Sequence, residues 1–183
     1  MSADHFLKIN DSFLSKRKCN SLIKYFKRNK SDHDRYKPHG TQCLHLYNQS
    51  YPLRLFYKHW KLRSLVKRID KVVKTQLPHL RATKLDSAQI VRWPVGSATD
   101  VHQDQNSGYG KRGWIDSCSA LVYLNEDFTG GETELYLKDV NNYEITRVLP
   151  LTGRIILFSN GLTYHRVSPI TQGDRYTLTT YFV

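Results

Sequence analysis

The C-terminal segment reads Gly153-Arg-Ile-Ile-Leu-Phe-Ser159, then Leu162-Thr-Tyr-His-Arg-Val-Ser168, then Asp174-Arg-Tyr-Thr-Leu-Thr-Thr-Tyr-Phe-Val183. Turn-forming residues that include glycine separate these three runs. In the third run, alternate side chains share one face, because successive residues of a strand point to opposite sides. These residues are Arg175, Thr177, Thr179 and Tyr181. Short strands broken by turns at close intervals indicate a sandwich or barrel.

The same pattern continues upstream to residue 85. Further strands are predicted at residues 85–93, 117–125, 132–138 and 142–149, with Gly, Pro, Asn and Asp between them. Regularly spaced short strands of this kind are typical of a jelly-roll. We therefore expect a jelly-roll over residues 84–183.

The first 80 residues have a helical pattern instead. Ser15 is placed to cap a helix that ends near Asn29. A longer helix is predicted at residues 52–77, because its apolar residues recur with a period of about 3.6 and Pro78 follows it. Residues 30–51 are predicted to be an irregular loop.

The predicted fold class is α+β but mainly β, with a double-stranded β-helix (jelly-roll) core buttressed by N-terminal helices. We expect residues 1–183 to form one domain, with helical support in residues 1–80 and the jelly-roll in residues 84–183. At 183 residues the chain is long enough for a sizeable hydrophobic core.

Polar residues in the second half suggest a metal site. His102 and Asp104 are two positions apart, so on an extended segment both side chains point to the same side. His165 could join them from a distant strand. Two imidazoles and a carboxylate are the ligands with which non-haem Fe(II) oxygenases leave coordination positions open. Arg175 offers a fork of N–H donors that suits a carboxylate.

Several motifs in a fixed order strengthen this interpretation. They are His102-Gln103-Asp104, Cys118 to Asn125, Gly130-Gly131-Glu132-Thr133, Pro150 to Phe158, His165-Arg166-Val167 and Gly173 to Thr179. In this order they resemble the catalytic domain of the Fe(II)- and 2-oxoglutarate-dependent dioxygenases, in the prolyl 4-hydroxylase-like branch. The resemblance covers residues 84–183 well and residues 1–80 only in general layout.

The resemblance implies a role for individual residues. It makes His102, Asp104 and His165 the Fe(II) ligands, and Arg175 the anchor for the distal carboxylate of 2-oxoglutarate, assisted by Tyr123 and Thr179. It implies O2 as a second co-substrate, with ascorbate in a supporting role. Trp93 stands where relatives usually have a tyrosine near the iron. Trp93, Tyr109, Arg112 and Trp114 are predicted to flank the substrate, whereas Glu132 and Thr133 are assigned no catalytic role.

The net charge of +12 is distributed unevenly. Residues 1–95 contain 21 Lys and Arg against 6 Asp and Glu, whereas residues 96–183 contain 7 against 10. The basic half suggests an anionic partner such as a ribosome, a nucleic acid or an acidic protein. The alternative interpretation is that these residues simply coat solvent-facing helices.

The remaining composition bears on the cellular compartment. The three cysteines include no CxxC pair, which argues for a reducing compartment and against a disulfide framework or a zinc site. No stretch approaches the length of a membrane span, and the N-terminus has no apolar signal region. We therefore expect a cytoplasmic protein without a membrane partner.

The leading hypothesis is hydroxylation of a prolyl residue in a protein or peptide, with decarboxylation of 2-oxoglutarate to succinate. Two alternatives within the superfamily are a nucleic-acid oxygenase or demethylase and a hydroxylase of another amino-acid side chain. The nucleic-acid branch usually has a second arginine six residues after the first, where this chain has Tyr181. A third alternative, a non-enzymatic cupin-like module, is disfavoured by the intact ligand set and Arg175.

Overall fold

The computed structural model describes residues 7–36, 39–48, 59–78, 84–104, 117–138 and 143–183. Its helices are α1 (Lys16–Arg28) and α2 (Arg63–Gln76), with short 3-10 turns at Lys30–Asp32 and Trp60–Leu62. The strands are β1 (Leu7–Asn10), β2 (His33–Tyr36), β3 (Thr41–Asn48), β4 (Leu85–Trp93), β5 (Cys118–Tyr123), β6 (Thr129–Gly130), β7 (Thr133–Lys138), β8 (Tyr143–Val148), β9 (Ile155–Ser159), β10 (Thr163–Val167), β11 (Ile170–Gln172) and β12 (Arg175–Phe182).

Two antiparallel sheets organise the part of the chain that the structure describes. The major sheet has the strand order β1-β9-β5-β12-β4-β3-β2, and the minor sheet has the order β10-β7-β8. Strands β6 and β11 form a separate short pair. The predicted strands at residues 85–93, 117–125, 132–138, 142–149, 153–159, 162–168 and 174–183 correspond to β4, β5, β7, β8, β9, β10 and β12, with slightly different ends. The predicted mainly β class is thus confirmed.

The major sheet has two different faces. One face packs against both helices in a large apolar core that includes Leu22 of α1, Ile69 of α2 and Leu178 of β12. The opposite face meets the minor sheet through a smaller core that includes Phe158 of β9 and Leu135 of β7. The minor sheet covers only part of this second face. The part of this face that the minor sheet leaves uncovered forms the cleft described below, together with residues 99–104.

The predicted helix at residues 15–29 is confirmed. Helix α1 begins after Ser15, whose hydroxyl accepts a hydrogen bond from the backbone N–H of Lys18 at 3.3 Å. Basic side chains, Lys27 and Arg28, occupy its last turn, where the helix dipole favours them.

The predicted start of the second helix at residue 52 is wrong for the described residues. Helix α2 begins only at Arg63, after a 3-10 turn, and residues 49–58 lie outside the described part. Residues 52–63 contain no Ser, Thr, Asp or Asn that could accept the first N–H groups of a helix. Within the described chain, neither helix is long and apolar enough to span a bilayer.

The predicted irregular loop at residues 30–51 is also wrong. Strands β2 and β3 form a hairpin that extends the major sheet, and β3 pairs with β4. Leu44 and Leu46 alternate with polar neighbours and enter the helix-side core, a period of two that indicates a strand. The hairpin adds a polar wall to the cleft.

Candidate active site

The three predicted metal ligands come together at one end of the cleft. His102 and Asp104 lie on the segment between β4 and β5, and His165 lies on β10. His102 and His165 form a two-way backbone pair, with N–O distances of 2.9 and 2.8 Å. One ligand atom from each of the three side chains lies within 4.8 Å of the others.

The side chains are oriented for ligation. Oδ1 of Asp104 lies 3.5 Å from Nε2 of His165 and 3.8 Å from Nε2 of His102. Nδ1 of His102 lies 2.8 Å from the backbone oxygen of Asp100, so Nδ1 carries a proton and Nε2 keeps its lone pair. All three groups therefore direct a donor atom at the same point.

The protonation states also suit a metal. Burial, followed by repulsion from His165, lowers the pKa of His102. Burial acts to raise the pKa of Asp104, but the charge and hydrogen bonds from His165 and Ser119 outweigh it, and that pKa lies below its usual range. A neutral imidazole and an ionised carboxylate are the forms that bind metals.

The cleft beside this cluster has a volume of about 540 Å³. Its lining combines the ligand cluster with residues of β2, β3, β4, β7 and β12 and with the loop that contains Gln103. The lining residues include Asp34, Thr41, Cys43, His45, Gln89, Val91, Trp93, Thr133, Phe158, Thr179 and Tyr181. Thr179, Trp93 and the three predicted ligands therefore share one cavity.

Arg175 does not line the cleft itself but contacts two of its lining residues, Thr133 and Trp93. Its side chain is 0% exposed, and Nη2 donates to Oγ1 of Thr133 at 3.1 Å. Its Nε and Nη1 have no hydrogen-bond partner among the described residues. Burial lowers the pKa of this guanidinium, although arginine stays charged in proteins. A buried cation with free donors is costly unless an anion binds it.

Aromatic rings surround the guanidinium. Its Cζ lies 5.3 Å from the ring centroids of both Trp93 and Tyr123. The hydroxyl of Tyr123 donates to Oγ1 of Thr133 at 2.7 Å, and burial raises the pKa of Tyr123. Nε1 of Trp93 is buried without a partner among the described residues, so it adds one more free donor beside Arg175.

Gly131 makes room for this arrangement. Its φ is +67°, and a Cβ at this position would lie 3.0 Å from Cδ of Arg175. The glycine is therefore required both by its backbone conformation and by the space that Arg175 occupies.

The sequence missed several residues of the cleft. Thr133, to which no role was assigned, contacts both Arg175 and Tyr123. No pattern in the sequence singles it out. His39 and His45, which the sequence did not single out, also line the cleft. His45 lies on β3, which was predicted to be part of an irregular loop, so its side chain could not be assigned to a face. The predicted substrate residues Tyr109, Arg112 and Trp114 lie outside the described residues.

These residues fit an Fe(II) ion and a carboxylate co-substrate. The ligand cluster has the two-imidazole, one-carboxylate composition with which proteins bind redox-active iron while leaving coordination positions open. An acceptor such as a carboxylate would satisfy the donors of Arg175 and Trp93 that have no partner among the described residues. A dicarboxylate such as 2-oxoglutarate can supply one carboxylate to Arg175 and a second group to the metal.

Known proteins support the same fit. A family model described as the 2OG-Fe(II) oxygenase superfamily matches residues 88–183. Human prolyl 3-hydroxylase 3 is 42% identical over 62 residues, which are 33% of this chain and 8% of that protein. The chain thus matches only a small part of this relative.

Solved structures share the fold. A prolyl-4-hydroxylase from Pseudomonas putida aligns with a TM-score of 0.70 at 20% identity, covering 98% of this chain and 93% of that chain. A prolyl hydroxylase from Trichoplax adhaerens, in complex with a hypoxia inducible factor oxygen degradation domain peptide fragment, aligns with a TM-score of 0.70 at 17% identity, covering 97% and 83%. These similarities confirm the predicted jelly-roll core.

Proposed function

Since the chain belongs to the 2OG-Fe(II) oxygenase superfamily, we propose that it is a 2-oxoglutarate-dependent dioxygenase that hydroxylates a prolyl residue in a protein or peptide. The observation that carries the proposal is that the cluster of His102, Asp104 and His165 opens into a cleft whose lining residues Thr133 and Trp93 contact the buried Arg175.

We assign two separate binding roles to the residues of the site. His102, Asp104 and His165 would hold Fe(II), and Arg175 would anchor the distal carboxylate of 2-oxoglutarate. When bound, iron and co-substrate supply the oxidation, in which O2 and 2-oxoglutarate give succinate, CO2 and one oxygen atom inserted into a C–H bond.

The protein itself would orient the co-substrate and exclude water from the site. Thr133 holds the guanidinium of Arg175 and the hydroxyl of Tyr123 together, so the anchor is fixed before the co-substrate binds. Thr179 is 8% exposed and can add a hydroxyl at the same end. Phe158 lies against His165, with ring centroids 4.9 Å apart, and keeps water from one side of the ligand cluster.

Electrostatics of the cleft support a peptide over a nucleic acid. Although the chain has a net charge of +12, no lysine or arginine lines the cleft among the described residues. Its carboxylates are Asp104 and the outer Asp34, which lies 3.2 Å from His45. Among the described residues, a phosphate backbone would find no lysine or arginine on these walls, whereas a neutral or basic peptide would not be repelled.

Proline is proposed as the target residue because of the proteins to which this chain is similar. Prolyl 3- and 4-hydroxylases are among them, and one of the solved structures holds a peptide fragment. Hydroxylation of another amino-acid side chain is the nearest alternative, because it needs the same metal and co-substrate. The supporting role of ascorbate and the cytoplasmic location stay predictions from the sequence.

The experiment uses the full chain with Fe(II), O2 and 2-oxoglutarate. Proline-containing peptides and methylated single-stranded oligonucleotides serve as parallel probes, and mass spectrometry locates an added oxygen atom. Oxygen on a prolyl ring supports the proposal. Oxygen on another side chain, or loss of a methyl group from a nucleobase, would replace it by the corresponding alternative.

An anionic partner of the helical half is a separate proposal. On α2 the side chains of Lys67, Lys71 and Lys74 are exposed, and Lys74 pairs with Asp70 at 2.9 Å. Because α2 packs on the face of the major sheet opposite the cleft, a partner bound there would reach the active site only around the edge of the sheet. The basic surface would therefore affect recruitment and not the chemical step.

A further inference from the structure

Asp104 is the metal ligand with the most elaborate support around it. Oγ of Ser119 lies 2.7 Å from Oδ2 of Asp104, which leaves Oδ1 facing the two imidazoles. Ser119 is 1% exposed and lies on β5, an interior strand of the major sheet. The carboxylate therefore presents one oxygen to the ligand cluster and the other to a rigid strand.

A second buried residue stands behind Ser119. The side-chain oxygen of Asn160 lies 2.8 Å from Oγ of Ser119, and Asn160 is 0% exposed. Oγ of Ser119 thus lies near two acceptors, although a hydroxyl has only one proton to donate. Nδ2 of Asn160 has no partner among the described residues. When the amide group is turned by 180°, its NH2 donates to Ser119 and the Ser119 hydroxyl donates to Asp104.

Asn160 also joins the other parts of the cluster. Its backbone N–H donates to the oxygen of Ser117 at 3.0 Å, which fixes it beside β5. Gln103 lies between the proposed ligands His102 and Asp104. Its Nε2 donates to the backbone oxygen of Asn160 at 3.4 Å and to that of Gly161 at 3.3 Å. The turn after β9 therefore contacts the His102–Asp104 segment and leads directly into β10, which contains His165.

We propose that Asn160 and Ser119 form a hydrogen-bonded relay, from the Asn160 amide through the Ser119 hydroxyl to Oδ2 of Asp104, that positions the carboxylate for metal binding. The relay rests on the proposed role of Asp104 as a ligand. Hydrogen bonds to the outer atoms of metal ligands fix their orientation, and losing one typically weakens metal binding by about 10- to 100-fold. Ser119 and Asn160 are positioning residues, since both act through Asp104.

The test is Mn(II) binding by calorimetry, together with the absorption spectrum of the Co(II)-loaded protein. Ser119→Ala should weaken Mn(II) binding by about tenfold or more and alter the Co(II) spectrum. Ser119→Thr keeps the hydroxyl and should restore both. Asn160→Ala should cause a smaller loss in the same direction, because Ser119 can still donate to Asp104.

Ser159→Ala is the matched control. It removes a buried hydroxyl next to Asn160 that has no partner among the described residues, so metal binding should stay unchanged. Thermal unfolding of each metal-free variant separates positioning from a general loss of stability. Equal Mn(II) affinity and an equal Co(II) spectrum for Ser119→Ala and the unaltered protein would overturn the relay alone. Failure of the unaltered protein to bind Mn(II) would overturn the proposed function as well.

Discussion

The two faces of the major sheet are built from the same strands but have different roles. On β12, Tyr176, Leu178 and Phe182 enter the apolar core beneath the helices. Their neighbours Arg175 and Thr179 point to the cleft side, where Thr179 lines the cavity. The sheet thus separates a face that stabilises the fold from the face at which we propose that the metal and co-substrate bind.

This division has a physical cost and a benefit. The cleft side holds buried polar atoms that have no partner among the described residues, such as Nη1 of Arg175 and Oγ1 of Thr177, and these act against folding. The helix side supplies the apolar burial that offsets them. We therefore expect substitutions on the two faces to separate stability from binding, even between adjacent residues.

The largest effect is expected at the ligand cluster. Asp104→Ala removes the carboxylate that contacts both imidazoles, so Mn(II) binding and turnover should both become undetectable. Calorimetry with Mn(II) measures the first and succinate formation the second. Asp127→Ala removes an exposed carboxylate away from the cluster and should change neither. Full activity of Asp104→Ala would exclude this residue from the metal site.

A large loss of stability is expected on the helix side. Leu178 is 0% exposed and lies between Val122 and Ile90 on the neighbouring strands. Leu178→Ala should lower the free energy of unfolding by about 2–5 kcal/mol through lost burial and a cavity. Chemical denaturation measures this, and Mn(II) affinity at low temperature should be retained. Parallel losses of stability and metal affinity would mean that the two faces are not separable.

The matched effect on the cleft side concerns the co-substrate. Arg175→Ala should weaken 2-oxoglutarate binding by about 2–5 kcal/mol, because a charge-assisted pair is lost and a carboxylate is left unpaired. Titration of the Mn(II)-loaded protein measures this, and Mn(II) binding should stay nearly intact. Arg175→Lys should be milder, since it keeps the charge. A parallel fall in metal binding would make Arg175 a structural residue.

The smallest effect is expected on the basic surface of α2. Lys67→Glu combined with Lys71→Glu should leave 2-oxoglutarate binding and turnover of a short peptide unchanged, because the sheet separates α2 from the cleft. If an anionic partner docks there, KM for a full-length substrate should rise, and more so at low salt. An unchanged KM would mean that these lysines are only a solvated surface.

The sequence predicted the face of each strand better than the neighbours across the cleft. Alternation placed Arg175 and Thr179 together, and the spacing of His102 and Asp104 placed them beside each other. The role of Thr133 was not predicted, because it depends on side-chain contacts between β7 and the major-sheet residues Tyr123 and Arg175. These residues are distant from one another in the sequence. The cleft wall that contains His45 was not predicted, because β3 was assigned to an irregular loop.

We propose that 2-oxoglutarate reacts with O2 in the cleft, at Fe(II) held by the ligand cluster. In the most direct test, the full chain is incubated with Fe(II), 2-oxoglutarate, poly-L-proline and isotopically labelled O2, and the succinate is analysed by mass spectrometry. We predict succinate that contains one labelled oxygen atom, formed only when Fe(II) is present and absent with Asp104→Ala. Unlabelled succinate, or equal succinate formation by Asp104→Ala, would contradict the proposed reaction.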